Sequence, residues 1–146
     1  MDERAAELTR LRLAQGDMRQ VIAAATFLSE GRHDQYLYRA LETAIVVCYA
    51  RPFGRSNVVG AIGEQWEAIG KAPNLHKELL RLRNKLYAHT DKTEAREVVD
   101  VAEMFDLDSP AWTEGWHPIR PEVLPKIVAL AAHLEAELGA AVEVRT

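Results

Sequence analysis

The chain has 146 residues, of which 48% are apolar and 27% charged, the balance of a globular protein and not of a disordered one. That length forms one domain, residues 1–146, able to bury roughly two thirds of its unfolded surface with no staple. A net charge of −4 argues against sequence-neutral wrapping of long duplex, and a single cysteine excludes an internal disulfide.

The amino terminus opens on Asp2 and Glu3 with no long apolar run, so neither a signal peptide nor a membrane span is expected and the chain reads as cytoplasmic. Residues 2–29 read as helix, one long or two, with Leu8, Leu11, Val21, Ala24, Ala25 and Leu28 apolar and Gly16-Asp17 as a break or kink. Gly31 then stands where a left-handed C-terminal cap is expected.

A second helix runs from Asp34, its cap, to Tyr49, with Pro52 as its stop. It carries two adjacent stripes, Leu37, Leu41, Ala44, Cys48 and Tyr38, Glu42, Ile45, Tyr49. So wide an arc implies cover on two sides, by the bundle and by a second subunit. Cys48 reads as a small buried hydrophobe. Glu42, among tyrosines, reads as an edge carboxylate bonded to a tyrosine or arginine; the sharper alternative is that it pairs with and orients Arg83.

Arg51 to Asn57 is a turn by its Pro and Gly, and its Arg51 and Arg55 are either solvated or part of a basic patch. Gly60, Gly63 and Gly70 form no phosphate loop. Ala61 to Ile69 reads as a short amphipathic helix. Pro73-Asn74 opens the third long helix, with Asn74 as cap and Thr90-Asp91 as its end. Along it Leu75, Leu79, Leu82 and Leu86 fall in one sector at about 100° per residue. Arg83 and His89 flank that stripe, and Asn84 points nearly opposite.

Residues 93–120 read either as strand, from Val98, Val99 and Val101, or as helix, with a turn at Asp106 to Pro110. Trp112 and Trp116, beside acidic neighbours, read as core or interface packing and not as a base-stacking platform. The last helix begins near Pro121 and continues to about Val142, with Val123, Ile127, Leu130, Ala131, Leu134 and Leu138 inward. The expected fold is therefore all-α, a four-helix up-down bundle with short additional elements around residues 60–70 and 95–120.

From His76 to Lys92, five cations face two carboxylates in a chain that is acidic overall, a local patch suited to one phosphate or a short piece of nucleic acid. Arg81 and Lys85 lie in this patch, and Arg51 and Arg55 add to it if the turn folds back. His33, His76, His117 and His133 lack ligand partners at helix or turn spacing, so no metal and no cofactor is expected.

Arg83-Asn84-Lys85-Leu86-Tyr87-Ala88-His89 resembles the signature of the HEPN superfamily, an Arg followed by a polar residue and then a His near the end of the third bundle helix. Leu82 to Asp91, together with Ala50-Arg51-Pro52-Phe53-Gly54-Arg55-Ser56, is similar to the AbiU-type abortive-infection branch. The resemblance implies a metal-independent endoribonuclease in phage defence or a toxin–antitoxin pair, acting on single-stranded RNA or tRNA. It also implies a homodimer whose two motif helices build one cleft, and, as for other toxin-like members, an antitoxin partner.

The residue types suit that chemistry. His89 is the proton-transfer group, since imidazole titrates near neutral pH, and Arg83 is the phosphate stabiliser, since its planar fork bonds two oxygens at once. By resemblance Asn84 is the third, polar member. Tyr87, one turn after Arg83, stacks on a base or packs, with packing favoured. Two readings compete with the nuclease. One is a non-catalytic HEPN-like RNA- or nucleotide-binding or regulatory module in which Glu42 and backbone groups hold Arg83 and His89; the other is a helical subunit that works only with a partner protein.

Overall fold

The computed structural model describes residues 2–54, 59–90 and 119–146, with 86–90 described as helical backbone only. The expectations for residues 93–118, including Trp112, Trp116 and the added element near 95–120, lie outside the described residues.

Helix α1, Glu3–Ser29, begins at Asp2, whose side chain accepts from the Ala5 N–H at 2.7 Å. It runs unbroken through Gly16. Ala14, Asp17 and Met18 are all buried around that position, and their packing outweighs the cost of about 1 kcal/mol for a mid-helix glycine. Past the helix end Gly31 takes φ 153°, not the left-handed helical cap that was expected. The Phe27 carbonyl is already satisfied by the Glu30 N–H at 3.2 Å and by His33 Nε2 at 2.9 Å, so no left-handed turn is needed to meet it.

Helix α2, Gln35–Ala50, is capped as its sequence indicates: Asp34 Oδ1 accepts from Tyr36 and Leu37 N–H, each at 3.0 Å. The α-helix ends at Ala50, just ahead of Pro52 as expected, and the chain tightens into a 3₁₀ turn, Arg51–Phe53.

Residues 61–66 are not helical, contrary to the amphipathic reading. Gly60 and Gly63, at φ 88° and 81°, turn the chain there, and helix α3 is confined to Glu67–Lys71. Helix α4, Pro73–Thr90, has proline at its first position, so Asn74 is inside the first turn and not the cap. A 3₁₀ turn, Pro121–Val123, leads into helix α5, Leu124–Arg145.

Every regular element among the described residues is helical, with no strand among them. Helix α1 lies antiparallel to both α2 and α5: Asp17 meets Arg51 and Gln20 meets Cys48 on one side, while Glu7 meets Arg145 and Arg19 meets Glu135 on the other. Helix α4 packs on α2, and α3 on α5. The core is built from Met18, Val21, Ile45, Tyr49, Leu79, Leu82, Ile127 and Leu134 and their neighbours. Leu79 and Leu82 of the expected stripe are buried and Leu75 packs beside them, as do all the expected inward residues of α5. Most of the wide arc of α2 is covered by α1 on one side and by α4 and Ile119 on the other, while Leu37 near its start is 38% exposed. No helix among the described residues is long and apolar enough to cross a membrane.

Candidate functional site around Arg83

Arg83 lies half-buried on α4, and its guanidinium rests against Gly54, the residue that ends the Arg51–Phe53 turn. A β-carbon at Gly54 would stand 3.3 Å from Arg83 Nη2 and 3.8 Å from Cζ. The turn is held from several directions. Arg51 donates to the Asp17 carboxylate at 3.2 Å, the Pro52 carbonyl accepts from Ile62 N–H at 3.0 Å, and Gly54 N–H returns to the Arg51 carbonyl at 3.1 Å. Phe53 is set edge-on against the His76 ring at 4.8 Å, with Tyr49 behind it at 5.7 Å. His76 and Arg83 are seven residues apart on α4, which puts them on one face of the helix. The turn runs along that face.

The remaining expected site residues of α4 and the turn fall into three groups. Asn84 and Lys85 are exposed, as the helical phase of α4 requires. Arg81 is also exposed but is bound by both oxygens of Glu78, one turn back on the same helix, and Arg51 is held by buried Asp17. Burial pushes the Asp17 carboxyl up and the Arg51 charge draws it back. His89 is carried by the same unbroken helix as Arg83; its side chain, that of Tyr87 and the whole of Arg55 lie outside the described residues.

Glu42 is 3% exposed, and its Oε2 accepts from the Ile119 N–H at 3.1 Å. Tyr38, one turn earlier on α2, donates its hydroxyl to the Ile119 carbonyl at 2.7 Å. Two side chains of one helix thus satisfy both polar groups of a single buried residue, at the point where the chain enters α5. Burial pushes the Glu42 carboxyl up to about 7, although the Ile119 N–H and nearby Arg39 draw it down. The Tyr38 hydroxyl is pushed up to about 12 by burial and by the charges of Glu42 and Glu122. No ion pair joins Glu42 to Arg83 among the described residues, and the carboxylate is instead committed to the Ile119 backbone.

Two groupings escaped sequence reasoning. His76, 2% exposed, lies between the Tyr49 hydroxyl, 2.8 Å from Nδ1, and the Glu64 carboxylate, 2.5 Å from Nε2. Burial raises the Tyr49 hydroxyl well above its ordinary range. The partners of His76 are 27 and 12 residues away in sequence, so no local spacing announces them.

The second grouping was legible, since His133 and Glu137 are four apart on one helix. With Glu67 they place ligand atoms within 4.8 Å of one another, a group able to hold a cation. Its members already have other work. The two Glu137 oxygens accept from Glu67 and Ala68 N–H, both at 2.9 Å, capping α3 from the neighbouring helix, and Glu67 is ion-paired with Lys71 at 2.9 Å. A cleft of about 120 Å³ lies elsewhere, between Arg10, Trp66 and Arg145. Its cations are also engaged, Arg10 with Glu3 and Arg145 with Glu7. No protein-family model, no curated protein and no solved structure matches the chain.

Proposed function

We propose that the protein is a metal-independent endoribonuclease of HEPN type, acting in phage defence or as the toxin of a toxin–antitoxin pair. One observation carries the reading. The two stretches in which the sequence resembles that superfamily, Ala50 to Ser56 and Leu82 to Asp91, are about thirty positions apart, yet they meet where Gly54 lies against the Arg83 guanidinium. A turn and a helix that share no local contact in sequence thereby pack against one another at that guanidinium.

In this reading the 2′-hydroxyl of RNA attacks the adjacent phosphorus. The 2′-O–P bond forms, the bond from phosphorus to the 5′ oxygen breaks, and the products are a 2′,3′-cyclic phosphate and a 5′-hydroxyl. His89 moves the proton, Arg83 offsets the charge that builds on the phosphoryl oxygens, and exposed Asn84 reaches the ribose or the phosphate. Lys85 adds an exposed cation to the patch. The four long helices form an up-down bundle, and a second copy completes the cleft.

A specific observation favours the non-catalytic module as the second reading. Arg51 and Arg81, two of the four expected phosphate contacts, are tied to Asp17 and Glu78, which weakens the patch as an RNA track. The deciding experiment incubates labelled single-stranded RNA and a tRNA pool with the protein in excess EDTA, beside Arg83→Ala and His89→Ala. Cyclic-phosphate ends that vanish in both variants are expected. Absence of cutting by the well-folded parent would leave the binding module.

A further inference from the structure

We propose that Gly54 is a positioning residue for the Arg83 guanidinium, and that the turn it ends forms the wall setting where that cation stands. The inference rests on the nuclease reading for its effect on RNA, but not for its geometry.

The backbone gives no reason for glycine here. Gly54 has φ −80° and ψ 135°, ordinary extended values open to any residue, unlike Gly60 and Gly63 in the following loop. What distinguishes the site is space. Gly54 is buried, and an added β-carbon would meet Arg83 Nη2 at 3.3 Å, closer than the usual contact distance of about 3.5 to 4.0 Å.

One side of that contact has to yield, and the turn is the stiffer side. Asp17 holds it through Arg51, Ile62 through the Pro52 carbonyl, and the Tyr49–His76 pair through Phe53. Arg83 reaches the contact at the end of a long, rotatable side chain. Arg83 is not held by this contact alone, so the glycine acts as a stop against which the guanidinium seats. A methyl group at position 54 therefore displaces the cation by a few tenths of an ångström and leaves the helices in place. Cation placement on a phosphoryl group is sensitive on that scale, since a misplacement of about 1 Å can cost on the order of a hundredfold.

The test compares Gly54→Ala with Gly70→Ala, a control whose added carbon meets nothing within 4 Å. Arginine side-chain NMR on the full chain follows the Arg83 Nε–H signal, assigned with Arg83→Lys. The signal is expected to move in Gly54→Ala and to stay in Gly70→Ala. In RNA cleavage, Gly54→Ala is expected to lower kcat by about threefold to tenfold with KM within about twofold, and to cause no further loss in an Arg83→Ala background.

An unmoved Arg83 signal in folded Gly54→Ala, or an equal loss of kcat with Arg83 already removed, would overturn the proposal. If the parent protein cuts no RNA, the nuclease reading falls while the NMR comparison still decides the positioning. Should Gly54→Ala fail to fold, the double variant Gly54→Ala/Arg83→Lys, which lacks the atom the methyl meets, is expected to recover; if it does not, the proposal is wrong.

Discussion

Replacing Glu42 by Gln should make the protein more stable, and only above acid pH. The carboxyl is 3% exposed and sits at about 7, against its usual 4.5, mainly because burial penalises the charge. At about 1.4 kcal/mol per pKa unit, the ionised form at pH 8 costs the folded state on the order of 3 kcal/mol. The sign follows from proton counts. Between pH 4.5 and 7 the folded chain keeps a proton that the unfolded chain has released, so the stability owed to this group falls as pH rises through that window and is level above it. Glutamine retains an oxygen for the Ile119 N–H and carries no charge. Urea unfolding at pH 8 should therefore show Glu42→Gln stabilised by about 2 to 3 kcal/mol, a midpoint about 1 to 2 M higher, with almost no difference at pH 4.5. An equal effect at both pH values, or destabilisation at pH 8, would show that Arg39 and the Ile119 N–H compensate the charge in full and would refute the argument.

Tyr38→Phe removes the other half of the grip on Ile119 and leaves a buried carbonyl without its donor. A loss of about 1 to 3 kcal/mol in denaturant unfolding is expected, independent of pH between 5 and 8. Glu137→Ala strips two backbone N–H groups of their shared acceptor at the start of α3. A loss of about 1 to 2 kcal/mol is expected, with faster hydrogen exchange confined first to residues 67–71.

Local chemistry was legible wherever partners are close in sequence. Asp34 lies one position ahead of its helix and caps it, and the i, i+3, i+4 spacing of Leu75, Leu79 and Leu82 named the buried face of α4. The same phase placed Asn84 on the exposed side. What stayed hidden depends on pairs brought together by the fold. Glu42 was read as an edge carboxylate bonded to a tyrosine or arginine, with Arg83 as the sharper alternative, but its partner is the backbone of Ile119, 77 residues on, and a backbone N–H leaves no mark in a sequence. His76 appeared as one of several scattered histidines because Tyr49 and Glu64 come from other elements. The continuity of α1 through Gly16 was undecidable locally, since buried neighbours and not helix propensity settle it. In the candidate site, Arg83 came from pattern, while the contact with Gly54 belongs to tertiary structure.

The His76 ring has two partners of unlike kind. Its Nδ1 lies 2.8 Å from the Tyr49 hydroxyl and its Nε2 2.5 Å from the Glu64 carboxylate, so one ring bridges a phenol and a carboxylate from two other parts of the chain. The chain of contacts runs outward, from a phenol at the centre of the bundle to a carboxylate 59% open to solvent. The seam between α2 and α4 is thereby wired to the surface through a single loop residue. Glu64 is the solvent-facing end of a contact that reaches the first turn of the helix that carries Arg83.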